Sequence, residues 1–206
     1  MGFLEDWDLS FEEIDELLTD NPSLRSFVSG YTAELKCRNL YFLNNERVTK
    51  VKKYDDHDRN KKGDISFEYK GLEFNVEVKS LQTNSIKHLE DGTKKATFQC
   101  DASDRRPVAF PDGSQVETTC LLVGEFDLLA VNLFGFTGEW KFVFALNDHL
   151  PRVSGVRGAA KNYSEYQRAL LLATSMPMTY PPSDMYRDNP WELLDHLVIE
   201  RTSKKR

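Results

Sequence analysis

Apolar and polar residues alternate through residues 63–82, GDISFEYKGLEFNVEVKSLQ, the period-two pattern of a strand with one buried face. Lys70-Gly71 interrupts the alternation, so the stretch predicts two strands joined by a tight turn. With a two-residue turn, Tyr69 stands opposite Leu72, Phe67 opposite Phe74, Ile65 opposite Val76 and Asp64 opposite Glu77. Ile65, Phe67, Tyr69, Phe74, Val76 and Val78 then share one face, the core face.

Helical patterns precede this hairpin. Ser10 and Glu13 form a capping box, with Leu9 and Ile14 placed as a staple, and predict a short helix to about residue 18. Asn21 and Pro22 mark a second start, for a helix over 22–42 with Leu24, Phe27, Val28, Tyr31 and Leu35 as its packing stripe and Gly30 allowing close approach to the sheet. Val48, Val51 and Tyr54 suggest an extended segment. A third strand is expected over 96–100, then a loop over 101–117 turning at Pro111-Asp112-Gly113. FDLLAVNL (126–133) and EWKFVFAL (139–146) are nearly continuous in apolar residues, as central strands covered on both faces are. A helix over 163–176 with Tyr166, Ala169, Leu170 and Ala173 inward, a proline-containing loop over 177–188 and a helix over 191–199 complete the chain. The order predicts a single α/β domain: a central mixed sheet of four or five strands with helices on both sides. Residues 1–43 carry the N-terminal helices, 63–146 the sheet and 162–200 the C-terminal helices.

At 206 residues the chain can bury a core without disulfides or metals as staples. Cys37, Cys100 and Cys120 are odd in number and lack zinc spacing, as in reduced cytosolic proteins. No basic–apolar leader and no run of 18 apolar residues occurs, so a soluble, cytoplasmic protein without membrane association is expected. A net charge of −6 requires that any nucleic-acid contact come from a local basic surface.

The hairpin register also sets chemistry. Side chains directly opposite in an antiparallel pair have Cβ atoms roughly 4.5–5.5 Å apart, so Asp64 and Glu77 are expected side by side, with Lys79 further along the face of Glu77. Opposed carboxylates repel, and a divalent cation removes the repulsion. Hard oxygen ligands from two strands suit Mg²⁺. An ammonium beside it can orient or help deprotonate an attacking water and offset charge developing on a phosphate. The structural alternative is an exposed hairpin face with ordinary surface charges.

Asp64 followed after twelve residues by Glu77-Val78-Lys79 resembles the PD-(D/E)xK motif of restriction endonucleases, junction resolvases and repair nucleases, with Gly63 in place of the usual proline. The stretches FQCDASDRR and GEFDLLAVNLFGFTGEWKFVFAL are also similar to bacterial restriction-endonuclease-like proteins. The resemblance implies a restriction-endonuclease-like α/β core and a Mg²⁺-dependent DNA endonuclease of restriction type, with Mn²⁺ able to substitute. It implies metal ligation by Asp64, Glu77 and the Val78 backbone carbonyl, a water-positioning role for Lys79, and 5′-phosphate and 3′-hydroxyl products. Glu34, on the helix before the hairpin, matches the position of an additional acid in this superfamily; its alternative is a surface pair with Arg38. Gln99 matches a polar residue that projects toward the metal from the next strand.

Lys52, Lys53, Arg59, Lys61 and Lys62 form a dense basic cluster beside the motif, suited to DNA phosphates. Arg105 and Arg106 are further candidates for phosphate or base contact, or are simply solvated. The expected partner is double-stranded DNA, bound by a homodimer because one site cuts one strand, with membership of a defence system implied by the resemblance. A structure-specific nuclease and a catalytically silent DNA-binding module are the alternatives.

Overall fold

A computed structural model describes residues 2–54, 63–155 and 158–204. Five strands form a mixed central sheet: β1 (Val48–Lys53), β2 (Ile65–Tyr69), β3 (Leu72–Ser80), β8 (Leu128–Asn132) and β9 (Phe142–Leu146), side by side in chain order. The pairs β1–β2, β2–β3 and β8–β9 are antiparallel, and β3–β8 is parallel. Lys70 and Gly71 have φ of 49° and 76°, the double positive φ of a type I′ turn. That turn sets the expected register: Tyr69 pairs with Leu72, Phe67 with Phe74 and Ile65 with Val76.

Helices cover one face of the sheet. After the short α1 (Phe3–Asp6), Ser10 and Glu13 cap α2 (Phe11–Asp20) reciprocally, and α3 (Pro22–Cys37) follows. The helix expected to run unbroken to residue 42 changes at Cys37 into a π-helical turn, Arg38–Phe42. That turn delivers Phe42 to the core, where its ring stacks on Phe67 at 4.5 Å. Ala33, Cys37 and Phe42 pack with the hairpin's core face, with alternate residues of β8 and β9, and with Leu194 of α6 (Trp191–Ser203). The expected α3 stripe is a correction: Leu24, Phe27, Val28, Tyr31 and Leu35 are exposed, and the small residues Ala33 and Cys37 are buried instead. Small side chains let the helix sit close to the sheet, which turns the large ones outward.

The second face is a further correction. Helices were expected there, but the main cover is a three-stranded antiparallel sheet of β4 (Lys87–His88), β5 (Lys94–Gln99) and β10 (Ser175–Tyr180), in the order β10-β5-β4. The short α4 (Phe134–Thr137) adds Phe136 to this core. The long β3-to-β8 crossover also contains the hairpin β6 (Asp101–Ala109) and β7 (Gln115–Cys120), where a loop was expected. The helix expected over 163–176 is reduced to α5 (Glu165–Leu170), with Tyr166 and Ala169 exposed, and the chain then becomes β10. Pro177 lies inside β10, which is an edge strand, the place where a residue without an N–H is tolerated. Among the described residues, no helix is long and apolar enough to cross a membrane.

Candidate active site

β3 outruns its neighbour. Its ladder with β2 ends at Val76, while its ladder with β8 continues to Ser80. Asp64 fills the gap that β2 leaves. Its amide donates to the Val76 carbonyl at 2.8 Å, and its Oδ2 accepts the Val78 N–H at 2.7 Å, so one side chain stands in for the missing strand. In a strand, the N–H and C=O of one residue point to the same edge, so the Val78 carbonyl also faces the Asp64 side. Gly63 makes the bend, with φ of 78° and an added Cβ only 3.0 Å from the Val76 carbonyl oxygen. Proline, fixed near −65°, does not fit this backbone.

Glu77 and Lys79 project from β3 on the face opposite the buried Val76 and Val78. Lys79 Nζ lies 2.7 Å from Glu77 Oε1 and donates to the Asp101 carbonyl at 3.4 Å. Glu34 comes from α3 and is held by Lys53 of β1 at 3.0 Å. The Lys53 ammonium also sits over the Tyr31 ring, 4.5 Å from its centroid. Glu34, Lys53, Asp64, Glu77 and Lys79 all line one cleft of about 740 Å³. One wall is α3, through Phe27, Gly30 and Tyr31; the other is β6, through Asp101, Asp104 and Arg106.

Crowding of acids shapes the electrostatics. Burial, then the Glu77 and Glu34 carboxylates, push Asp64 well above the ordinary carboxyl range, against the opposing pull of Lys79 and the Val78 N–H. Burial alone would lower Lys79, but Glu77 and Asp64 outweigh it and hold the ammonium above its usual range. Burial raises the Cys100 thiol to about 12, with Glu77 among the contributing charges.

Comparison with known protein families, with curated proteins and with solved structures finds no match. What can be said of this site therefore comes from its own geometry.

Of the remaining candidates, Lys52 is exposed on β1, outside the cleft, and Arg105 is exposed on β6. Arg106 lines the cleft but is tied to Glu125 at 2.6 Å. Gln99 is exposed and outside the cleft; its amide donates to Asp101 Oδ2 at 3.0 Å. Arg59, Lys61 and Lys62 lie outside the described residues. Asp101 and Asp104 also line the cleft, from a segment whose sequence has the character of a loop, and so do Phe27 and Tyr31, whose spacing predicts a core stripe. A signal existed for the rings: Phe27, Tyr31 and Glu34 recur at i, i+4 and i+7, so a cleft-facing Glu34 brings both along.

Among the described residues, no three His, Cys, Asp or Glu side chains stand ready-gathered as a metal cage. The donors nevertheless suit a hard dication in kind. Asp64 is raised by burial and then by the Glu77 and Glu34 carboxylates, and ammonium groups now balance Glu77 and Glu34. A Mg²⁺ ion would take over that charge, held through one or two carboxylates with waters retained.

Proposed function

We propose that this protein is a Mg²⁺-dependent DNA endonuclease with a restriction-endonuclease-like core. The observation that supports the proposal is the Asp64 bracket at the open end of β3, beside which Asp64, Glu77 and Lys79 line one cleft with Glu34. A binding module has no need for the trio of Asp64, Glu77 and Lys79. The helix before the hairpin and the mixed sheet agree with the expected core, while fold by itself does not assign function.

Asp64, Glu77 and the Val78 carbonyl would hold the ion, with Glu34 assisting at the same or a second ion. The ion supplies positive charge to the phosphate and acidifies water. Lys79 orients the attacking water and offsets charge as the phosphorus becomes five-coordinate. Water adds to phosphorus in line with the 3′-oxygen, the P–O3′ bond breaks, and the proton of the water ends on that oxygen. The products carry 5′-phosphate and 3′-hydroxyl ends. Restriction-type and structure-specific nucleases share this chemistry, and a duplex cut at one position calls for a two-fold pair of sites.

Purified protein incubated with plasmid, phage, branched and modified DNA is expected to cut at least one substrate with Mg²⁺ and none with EDTA. Lys79→Ala and Asp64→Asn should each lower the rate at least about a hundredfold, the scale of losing an electrostatic or ligand group. Cutting that survives EDTA or Asp64→Asn would overturn the assignment. Binding without cutting under any divalent ion would leave the silent module.

A further inference from the structure

Among the described residues seven glycines have positive φ, and Gly63 differs from the other six. A Cβ built on Gly71, Gly92, Gly113, Gly124, Gly138 or Gly155 meets nothing within 4 Å. On Gly63 it would lie 3.0 Å from the Val76 carbonyl oxygen, 3.2 Å from the carbonyl carbon and 3.3 Å from the Asn75 Cβ. The other six answer to a backbone angle. Gly63 answers as well to a close approach between two chain segments, which a residue without a Cβ allows.

The β3 side cannot give way to an added methyl. Val76 is fully buried and is paired with Ile65 on one edge and with Leu128 on the other. Asn75 is anchored through its N–H to Asp127 Oδ2 at 2.8 Å. Packed interiors transmit strain rather than absorb it, so the displacement falls on residue 63 and on Asp64, its neighbour in the chain. There it opens both arms of the bracket. One arm is the Asp64 amide on the Val76 carbonyl, the same oxygen that the added Cβ would crowd; the other is the carboxylate on the Val78 N–H.

Resting on the nuclease assignment above, we propose that Gly63 is a positioning residue of the metal site: by carrying no Cβ it lets Asp64 close on β3 and holds that carboxylate in place for the dication. Groups that orient a metal ligand typically change affinity by roughly ten- to a hundredfold. Gly63 does so through the atoms it lacks. Gly71 supplies the control, because its φ of 76° matches the 78° of Gly63. An alanine at either position meets the same left-handed penalty, but at Gly71 it touches nothing and lies at the turn, away from Asp64.

The test compares Gly63→Ala, Gly63→Asn and Gly71→Ala with the wild type. Asparagine tolerates the left-handed region yet still brings a Cβ, so it separates the clash from the angle. In metal-free protein, hydrogen exchange of the Val78 amide, followed by NMR, reports the bracket. It should quicken at least about tenfold in both Gly63 variants and stay unchanged in Gly71→Ala. Mn²⁺ affinity, by calorimetry, should fall at least about tenfold in the Gly63 variants alone, whatever each substitution does to Tm. Either readout unchanged in folded Gly63→Asn overturns the proposal. So does an equal loss of Mn²⁺ affinity in Gly71→Ala, which would trace the effect to general stability. Mg²⁺-dependent DNA cutting with Gly63→Asn equal to wild type rejects the positioning role alone. Mn²⁺ binding with the expected dependence on Gly63 but no cutting of any DNA rejects the nuclease alone, and a wild type that binds no Mn²⁺ overturns both.

Discussion

Asp64 is where function and stability oppose each other most directly. Its carboxylate replaces a missing strand by accepting the Val78 N–H, yet desolvation and the charges of Glu77 and Glu34 raise its pKa. A raised carboxyl pKa means that the folded state binds more protons than the unfolded one, so stability falls as pH rises from the unfolded value through the folded one. Below an ordinary carboxyl pKa of about 4 the penalty is absent; above the folded pKa it is complete. Asp64→Asn keeps an acceptor for Val78 and removes the charge. In EDTA at neutral pH it should stabilise the protein by roughly 1–2 kcal/mol, within the range of relief at strained functional sites, and the gain should shrink in acid. Mg²⁺ should raise the Tm of the wild type and leave that of Asp64→Asn nearly unchanged. Thermal scans with and without metal check both statements, and an Asp64→Asn protein less stable than wild type in EDTA would show that the carboxylate has no burial penalty.

α3 shows how an element can satisfy its packing through its smallest residues. Ala33 and Cys37 lie against the sheet while Leu24, Phe27, Val28, Tyr31 and Leu35 face outward. Gly30 has open space around it, so Gly30→Ala should stabilise the helix by roughly 1 kcal/mol; urea unfolding measures it, and destabilisation would show that this space is filled in the folded protein. The same contrast explains what the sequence makes legible. The hairpin could be read rung by rung from Tyr69–Leu72 to Ile65–Val76, because period-two alternation and Lys70-Gly71 fix its register locally; the next expected rung, Asp64 opposite Glu77, gives way to the Asp64 bracket on Val76 and Val78. The apolar runs of β8 and β9 announced central strands for the same reason. The orientation of α3 could not be read that way, because hydrophobic periodicity assumes that large residues pack. β6 and β7 carry charges on exposed faces and Pro107 within the pairing, so they resembled a loop. α5 and β10 were confused because the apolar residues of 163–176 fit a helical spacing, whereas the segment's partners, Lys94–Gln99 in β5, are distant in sequence.

At the scale of the whole molecule, β3, β8 and β9 join the cores on the two faces of the central sheet, and α6 locks this frame from outside the cleft. Arg201 pairs with Asp127, at the entrance to β8, and donates to the Glu73 carbonyl at the start of β3 at 2.8 Å. Asp127 in turn accepts the Asn75 N–H at 2.8 Å. Further along α6, Asp195 accepts from the Tyr69 hydroxyl at 2.8 Å and from Lys70 at 2.6 Å, holding the turn of the hairpin. Helix α6 therefore grips the end of β3 opposite Glu77 and Lys79. Arg201→Met keeps much of the apolar stem, which lies over the Phe74 ring, but leaves the half-buried Asp127 without its guanidinium. Breaking such a pair by removing one partner is destabilising, and because Arg201 is partly exposed the expected loss is about 1–2 kcal/mol. For a chain of this length that lowers Tm by roughly 2–8 °C. Since Glu77 and Lys79 are held by β8 pairing and by Asp64 rather than by α6, metal-dependent cutting per folded molecule should stay within about twofold of wild type at temperatures well below the new Tm. A fall in Tm with cutting preserved separates the latch from the site; loss of cutting in fully folded Arg201→Met would mean that strain at the base of β3 reaches the carboxylates at its end.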